Sequence, residues 1–590
     1  MTFCLGGHGV TAWPESRHRV YIDAASKGAD IPESMYGMFF EEINHAGDGG
    51  LYGELLQNRS FEEHVCPGGM TYKDGKVWAP HALNYWGLDY VDFNVDWNIE
   101  EKKFQGWDIT ATGCSLSKDV AVPEVVLHEN TPNALRLAIS GASDASVVNV
   151  DNSGYWGLAV KKGATYKLRF YLRTEDYTGG VKAMICNAGG MALTEKEFKV
   201  VSDGKWTEYT AELVSTSKMD NGLFRLQFSG NGSIDVDYVS LFPADTYKGR
   251  ENGFRKDVAE MLEGLNPAFL RWPGGCIVEG ATLGNRVKWK ETIGDPMTRP
   301  GEWSLWGYRN SYGFGYHEFL QLCEDMDMDG MFVANVGMSC SNRNGDFVEA
   351  DDTEGLQPYL QEIRDAIEYA IGDPSSNEWA AKRAEAGHPE PFPLKYVELG
   401  NENGSDRYVQ RYAYFYNTLK AEYPDITFIN TMHWNDRSLF EKTDMFDVHW
   451  YVTPDEFYAD ATLFDVVERG DYTVYAGEYA ANNNVGSGNM DAALSEAVFA
   501  GGMERNSDLV TMTSYAPLLT HVNAPNWACN LIWFDNDEVM GRASYHVQKL
   551  YAENCPDYNV NTRIQSNLQQ MRTRGRIGVG TWNTQADSVT

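Results

Sequence analysis

The cysteines form no recognisable framework. Nine are scattered at 4, 66, 114, 186, 276, 323, 340, 529 and 555. None form a CxxC pair, and no Cys/His cluster has zinc-ligand spacing, so the set reads as mostly buried free thiols rather than disulfides or a metal site. Positive charge is scarce: 49 Lys and Arg face 84 Asp and Glu, for a net charge of −35. Such a surface repels phosphate backbones and anionic lipids, which argues against nucleic acid and membrane surfaces as partners. No stretch is long and apolar enough to span a bilayer. The N-terminus, MTFCLGGHGVTAWPESRHRV, has neither a basic start nor a sustained apolar run. No signal peptide is visible, so localisation stays open. The chain is either cytoplasmic or starts after or without a native leader, which leaves a periplasmic or secreted site of action open. No GxGxxG follows a strand, so a dehydrogenase lacks its nucleotide fingerprint.

What is present is bulk, aromatic content and a change of texture along the chain. The 590 residues, 43% hydrophobic, are ample for more than one core. Aromatics make up 13%, with 17 Trp and 33 Tyr. Neutral sugars stack on such rings, although a large core also uses them. Residues 20–31 begin with a short alternating strand, and MYGMFFEEIN reads as a buried strand ending in two carboxylates. The Gly-rich GDGGLYGELLQNRSFEE is expected to lead into a helix. From about Trp97 to Ala244, segments such as LRLAIS, YKLRFYLRT and SIDVDYVSLF alternate with turn clusters, the pattern of an antiparallel sandwich.

From Arg250 onward strands and amphipathic helices alternate. Strands are expected at 268–273, 330–336, 394–400, 426–430, 446–451, 473–478 and 508–514. With the early strand they make eight, so the expected fold class is α/β: a (β/α)8 TIM barrel with an all-β jelly-roll sandwich inserted after the first barrel strand. The expected divisions are an N-terminal strand segment at 1–33 and a first part of the barrel at 34–97. A sandwich follows at 98–244, then the rest of the barrel at 245–550 and a C-terminal tail at 551–590.

Barrel enzymes place their chemistry at the C-terminal strand ends. Here these ends carry Glu41-Glu42, Arg271 through Cys276, Asn335, Asn401-Glu402, His433-Trp434-Asn435, His449-Trp450-Tyr451 and Glu478-Tyr479. A charge directly after an apolar strand is costly unless paired or used. One such glutamate is ordinary as a surface ion pair. Two at separate strand ends, Glu402 and Glu478, favour catalysis, and paired carboxylates are what glycoside cleavage needs.

Several long segments then carry a resemblance. GMFFEEINHAGDGGLYGELLQNRSFE, FLRWPGGCIVEG with NRVKWKETIGDPMTRPG, YGFGYHEFLQLCED, YVELGNEN and YAGEYA occur in order, and they resemble glycoside hydrolase family 51. Its best-known members are α-L-arabinofuranosidases. The likeness covers about residues 34–98 and 245–550, while 98–244 resembles a family 4/9-type carbohydrate-binding module. It implies Glu402 as acid/base and Glu478 as nucleophile of a retaining double displacement, with the carboxyl groups about 5–5.5 Å apart. It further implies Asn401 on the sugar 2-hydroxyl, Glu41 as a sugar-binding carboxylate and Tyr451 as a partner of Glu478. His449 and Trp306 are implied sugar contacts, and Cys276 lies in the PGG loop either as a contact or as a small loop residue. No metal or organic cofactor is implied.

The implied substrate is an arabinose-containing plant polysaccharide or oligosaccharide, cut at terminal non-reducing α-L-arabinofuranosyl residues. A homo-oligomer is left open. Two alternatives stand beside it: a β-1,4-endoglucanase or xylanase on the same barrel, and a non-catalytic glycan-binding protein. The negative charge of Glu478 is expected to raise the pKa of Glu402. Members usually carry a C-terminal β-sandwich, which here reads as cut short. The strand VYIDA is therefore expected to lack partners. In the sandwich, Tyr155 and Trp156 of NSGYWGL are a candidate stacking platform.

Overall fold

A computed structural model describes residues 18–81, 83–87, 93–482, 488–527 and 529–566. Eight parallel strands close into a barrel. In chain order they are β1 (Tyr36–Phe39), β2 (Phe269–Trp272), β3 (Asp329–Ala334), β4 (Leu394–Leu399), β5 (Thr427–Asn430), β6 (Met445–Val452), β7 (Thr473–Ala481) and β8 (Val510–Tyr515). Each pairs with its neighbours in sequence, and β1 closes the ring against β8, with Tyr36 opposite Thr513. All eight lie where the sequence places them.

The barrel interior follows from the two-residue period of a strand. Phe269, Met331, Ile429, Met445, Tyr475 and Met512 form one buried apolar cluster. Two residues further along, the same inward positions carry charge: Arg271 follows Phe269, and Asp447 and then His449 follow Met445. The outer layer comes from helices whose apolar face repeats every three to four residues. The helix Lys256–Glu263 buries Val258, Ala259 and Leu262. Thr353–Ile371 starts on an Asp352 side chain that accepts from the Gly355 N–H.

Between β1 and β2 the chain builds two antiparallel sheets. One contains Trp107–Thr112, Val147–Asn152, Leu158–Val160, Gly180–Cys186, Ala192–Lys199 and Met219–Ser229. The other contains Ser115–Ala121, Ala134–Ser140, Thr165–Arg173, Thr207–Val214 and Gly232–Pro243. Strand alternation decides what lies between them. In Thr165–Arg173, Tyr166, Leu168, Phe170 and Leu172 are buried. Each such side chain contributes about 1.5–3 kcal/mol. Leu56 and Phe61, just after β1, join this core, so barrel and sandwich share packing.

Two expectations fail. The Gly-rich segment after β1 does not lead into a helix. Asp48, Gly49 and Gly50 have non-helical backbone angles, and buried Glu42 instead accepts from the N–H groups of Gly47 and Asp48. The segment runs on irregularly, and the first barrel helix comes only after the sandwich. The strand VYIDA also has a partner: His18–Asp30 pairs antiparallel with Tyr558–Ser566. A small sheet of Thr71–Lys73, Lys76–Trp78 and Asn94–Asp96, not foreseen, covers one side of the barrel mouth.

Candidate active site

The charged layer is organised by Arg271, whose side chain is fully buried. Its guanidinium donates to both oxygens of Glu398 at 2.5 and 2.9 Å, to Glu478 Oε1 at 2.9 Å and to Asn401 Oδ1 at 2.8 Å. Asp447 lies 3.5 Å away. A planar, permanently charged fork suits this role, because one cation must fix groups from three strand ends. Glu398 is driven up by burial and by Asp447, against the pull of Arg271. It keeps a proton, and it and Asp447 are hydrogen-bonded to each other.

Glu478 receives a second donor on its other oxygen, the Tyr451 hydroxyl at 2.6 Å. Burial and the Glu478 charge hold Tyr451 well above the usual phenol range, so it remains a donor. The Tyr451–Glu478 contact expected from the sequence is therefore present. Gly477, just before, is required by close approach. Its N–H donates to Asp447 Oδ1 at 3.0 Å, and a Cβ there would lie 2.1 Å from the same oxygen.

Glu402 stands at the mouth, its side chain 39% exposed although protein atoms crowd it. Its φ of +47° is in the left-handed region, which costs about 1–3 kcal/mol for a residue with a side chain. His449 Nδ1 lies 2.7 Å from Glu402 Oε1 and 3.6 Å from Glu478 Oε2, and its Nε2 lies 2.9 Å from Asp447 Oδ2. Burial lowers the His449 pKa, but Glu478, Asp447 and the hydrogen bonds to Asp447 and Glu402 raise it well above 6.5. The ring is an imidazolium.

That charge corrects the expectation for Glu402. Burial pushes its carboxyl up, but the His449 hydrogen bond and charge pull it below its ordinary value. Both shifts favour the histidine as the place of the proton that the pair Glu402–His449 shares.

Of the other predicted positions, Glu41, Trp306, Asn401 and Cys276 gather around the same carboxylates, while Asn335 and His433 do not. Glu41 Oε1 accepts from Trp306 Nε1 at 2.9 Å and from the Ile277 N–H at 3.3 Å. Burial, then the charges of Glu478 and Glu402, push Glu41 up to about 8. It is neutral at pH 7 and able to donate as well as accept. Asn401 donates to Glu279, which also receives Asn403. Cys276 is half-buried beside buried Cys340, and both are free thiols. Asn335 turns back to the Val278 and Met338 carbonyls and is structural. His433 stacks on Trp434, beside Trp450, outside this network.

Among the described residues, two groups bring three potential metal ligands within 4.8 Å of one another: Cys276, Glu279 and Cys340, and Glu402, His449 and Glu478. In the second, both His449 nitrogens are engaged by carboxylates, so the set is a proton-sharing ion-pair network. In the first, both Glu279 oxygens are already taken by Asn401 and Asn403. The sequence reading missed Glu398, Asp447 and Glu279 altogether and named Arg271 only as part of a strand end. The available signal was a charge two residues after a core position in the same strand.

This arrangement supplies one carboxylate fixed by two donors, a second on a proton-sharing histidine, and neutral polar groups around the space between. Comparison with known proteins gives the same direction. Residues 261–469 match the alpha-L-arabinofuranosidase 1 domain, and 470–588 match the alpha-L-arabinofuranosidase C-terminal domain. Alpha-L-arabinofuranosidase 2 of Arabidopsis thaliana is 37% identical, over 94% of this chain and 76% of that protein. The chain belongs to the α-L-arabinofuranosidase family. The extracellular exo-alpha-L-arabinofuranosidase of Streptomyces chartreusis is 33% identical over 96% of this chain, which spans 65% of that longer relative. Among solved structures of the family, an arabinose-bound α-L-arabinofuranosidase of glycoside hydrolase family 51 superposes with a TM-score of 0.81. It is 33% identical and covers 92% of this chain and 84% of its own.

Proposed function

We propose that this chain is a retaining α-L-arabinofuranosidase that releases terminal non-reducing arabinofuranosyl residues from arabinose-containing polysaccharides or oligosaccharides. The observation that carries the retaining mechanism is the spacing of the pair. An oxygen of Glu402, one of Glu478 and a nitrogen of His449 all lie within 4.8 Å of each other. Such closeness suits direct attack on the anomeric carbon. An inverting pair stands about 6.5–9.5 Å apart to admit a water.

Glu478, held by Arg271 and Tyr451, attacks the anomeric carbon. The C–O bond to the leaving sugar breaks, and its oxygen takes the pair's one proton, which passes from His449 through Glu402 and leaves both without it. Consumption of the Glu478 charge removes one of the anions that hold the proton on His449. In the second step Glu402 takes a proton from water, whose oxygen displaces Glu478. Neutral Glu41, Asn401 and Trp306 orient sugar hydroxyls. The inserted sandwich is read as a carbohydrate-binding module. The extracellular Streptomyces relative supports a site of action outside the cytoplasm. The curated relatives do not favour an endoglucanase or xylanase.

The test is hydrolysis of an aryl α-L-arabinofuranoside beside an aryl β-xyloside and carboxymethylcellulose, with the anomer of the first product read by NMR. Selective arabinofuranoside cleavage with retention is expected. Preference for either other substrate, or an inverted first product, overturns the proposal.

A further inference from the structure

Trp156 sits at the tip of the turn between the sandwich strands Val147–Asn152 and Leu158–Val160. It faces the barrel. Its indole stacks on His521, in the segment after β8, with ring centroids 4.2 Å apart and planes 24° from parallel. It also meets His45, after β1, edge-on at 4.9 Å. The side chain nevertheless remains 45% exposed. Its φ of +67° is an outlier for a bulky residue, and such strain persists only where the surroundings hold it.

The surroundings here are specific. The Asn536 amide donates to the Tyr155 and Gly157 carbonyls at 2.7 and 2.6 Å, on either side of Trp156. Its oxygen lies 3.2 Å from His521 Nε2. One side chain thus orients both rings of the stack. Tyr155 is seated on Gly49, where a Cβ would lie 2.6 Å from its ring.

The segment that carries His521 also reaches the pocket. Asn526 donates to the Trp306 carbonyl at 3.0 Å, and the Trp306 indole holds Glu41. Trp527 packs on Tyr451 with centroids 4.7 Å apart, and Tyr451 holds Glu478. One short segment thus joins the Trp156–His521 stack to the partners of Glu41 and Glu478. Burial lowers His521 and takes His45 down to about 4, so both rings are neutral at pH 7.

We propose that Trp156 of the inserted sandwich and His521 of the barrel form a stacking subsite for a neutral sugar on the leaving-group side of the scissile bond. This rests on the glycosidase reading above and adds to it. With the arabinofuranosyl unit among Glu41, Trp306 and Tyr451, the segment that carries His521 is the part of the barrel that joins it to the stack. An exposed indole offers an apolar face to a sugar ring, and the acidic surface disfavours an anionic one. The insertion then acts on the same substrate molecule as the barrel and selects its leaving group.

The experiment compares kcat/KM for an aryl α-L-arabinofuranoside with kcat/KM for two natural-type substrates, an arabinosyl-substituted xylo-oligosaccharide and an arabino-oligosaccharide. The ratio of oligosaccharide to aryl values is expected to fall about tenfold in Trp156→Ala and in His521→Ala for at least one oligosaccharide. Trp156→Phe is expected to restore it to within about twofold. Met191→Ala, at an exposed turn of the sandwich, controls for general surface change. A lowered melting temperature with an unmoved ratio for both oligosaccharides would make Trp156 mere interdomain packing and overturn the proposal. If the wild type fails to cleave the aryl α-L-arabinofuranoside, the glycosidase reading falls instead. Quenching of tryptophan fluorescence by unbranched xylo-oligosaccharide and arabino-oligosaccharide then decides: saturable quenching lost in Trp156→Phe supports the stack, and its absence with both probes overturns it.

Discussion

The barrel and the inserted sandwich bury charge in opposite ways. In the sandwich, acids are met one at a time: Arg136 and Arg173 both serve Asp235, Arg225 meets Asp151 with two hydrogen bonds of 2.6 Å, and burial pushes Asp237, which has no ion pair among the described residues, well above the usual carboxylate range. At the top of the barrel one fully buried arginine and one imidazolium face Glu41, Glu279, Glu398, Glu402, Asp447 and Glu478. The first arrangement closes locally. The second leaves an excess of negative charge that only protons can balance, and a site that must move protons needs such an excess. Stability and function are thus laid down in different layers of one chain.

The largest effect tests the reactive end of that excess. Glu478→Ala is expected to reduce turnover by about 10⁴-fold or more on every substrate, and added azide is expected to restore an inverted glycosyl azide. Full activity would place the site elsewhere. Next comes the cation. Arg271→Met leaves buried acids without their partner and is expected to cost about 3–5 kcal/mol, read by thermal or denaturant unfolding. A loss below about 1 kcal/mol would mean that protons alone balance the cluster.

Glu402→Ala separates the two carboxylates. It is expected to lower kcat about 10²–10⁴-fold on substrates with poor leaving groups while keeping most of the first-step rate on a dinitrophenyl glycoside, with azide giving a product of retained configuration. The reverse pattern between the two mutants would exchange their roles.

A subtler prediction concerns pH. His449 has a raised pKa in the fold, so its contribution to stability is fully present below about 6.5 and is lost as pH rises through the folded value. Glu402, whose pKa is depressed, contributes above its ordinary value of 4.5, and that contribution is lost as pH falls through the folded one. In the proposed mechanism the pair needs one proton for catalysis. His449→Gln leaves that proton on Glu402 alone, so the basic limb of kcat/KM is expected to move to lower pH. An unmoved basic limb would show that His449 does not share the catalytic proton. The smallest effect belongs to the sandwich: Arg225→Met, which removes two charge-assisted hydrogen bonds to Asp151, is expected to cost about 1.5–3 kcal/mol. A loss as large as that of Arg271→Met would erase the contrast between the two regions.

Much of this was legible in the sequence, for physical reasons. Eight strands could be read because each is an apolar run closed by a polar turn, and Glu402 and Glu478 because each follows such a run directly. Arg271, Glu398 and Asp447 were harder. They lie inside strands, where a charge in the printed sequence resembles an outward-facing residue, and only the barrel's closure shows that these positions point inward. The low pKa of Glu402 was invisible because it depends on His449, which β6 brings alongside from 47 residues away in the chain. The missing helix after β1 was misread because ELLQNRSFEE carries helix-compatible residues, while the N–H groups of Gly53 and Leu55 are spent on the Gly253 and Leu241 carbonyls.

The break between β1 and β2 has a kinetic consequence. These neighbours in the ring are separated by an entire second domain, and closing so long a loop in an unfolded chain costs entropy before any contact rewards it. The insertion is stitched at its base, however. Gly53 N–H donates to the Gly253 carbonyl at 3.0 Å and Leu55 N–H to Leu241 at 3.1 Å, while Tyr52 bridges Phe254. Once the sandwich has folded, its two ends meet, and β1 reaches β2 through what is effectively a short connection. A folded sandwich thereby shortens the loop that barrel closure has to bridge.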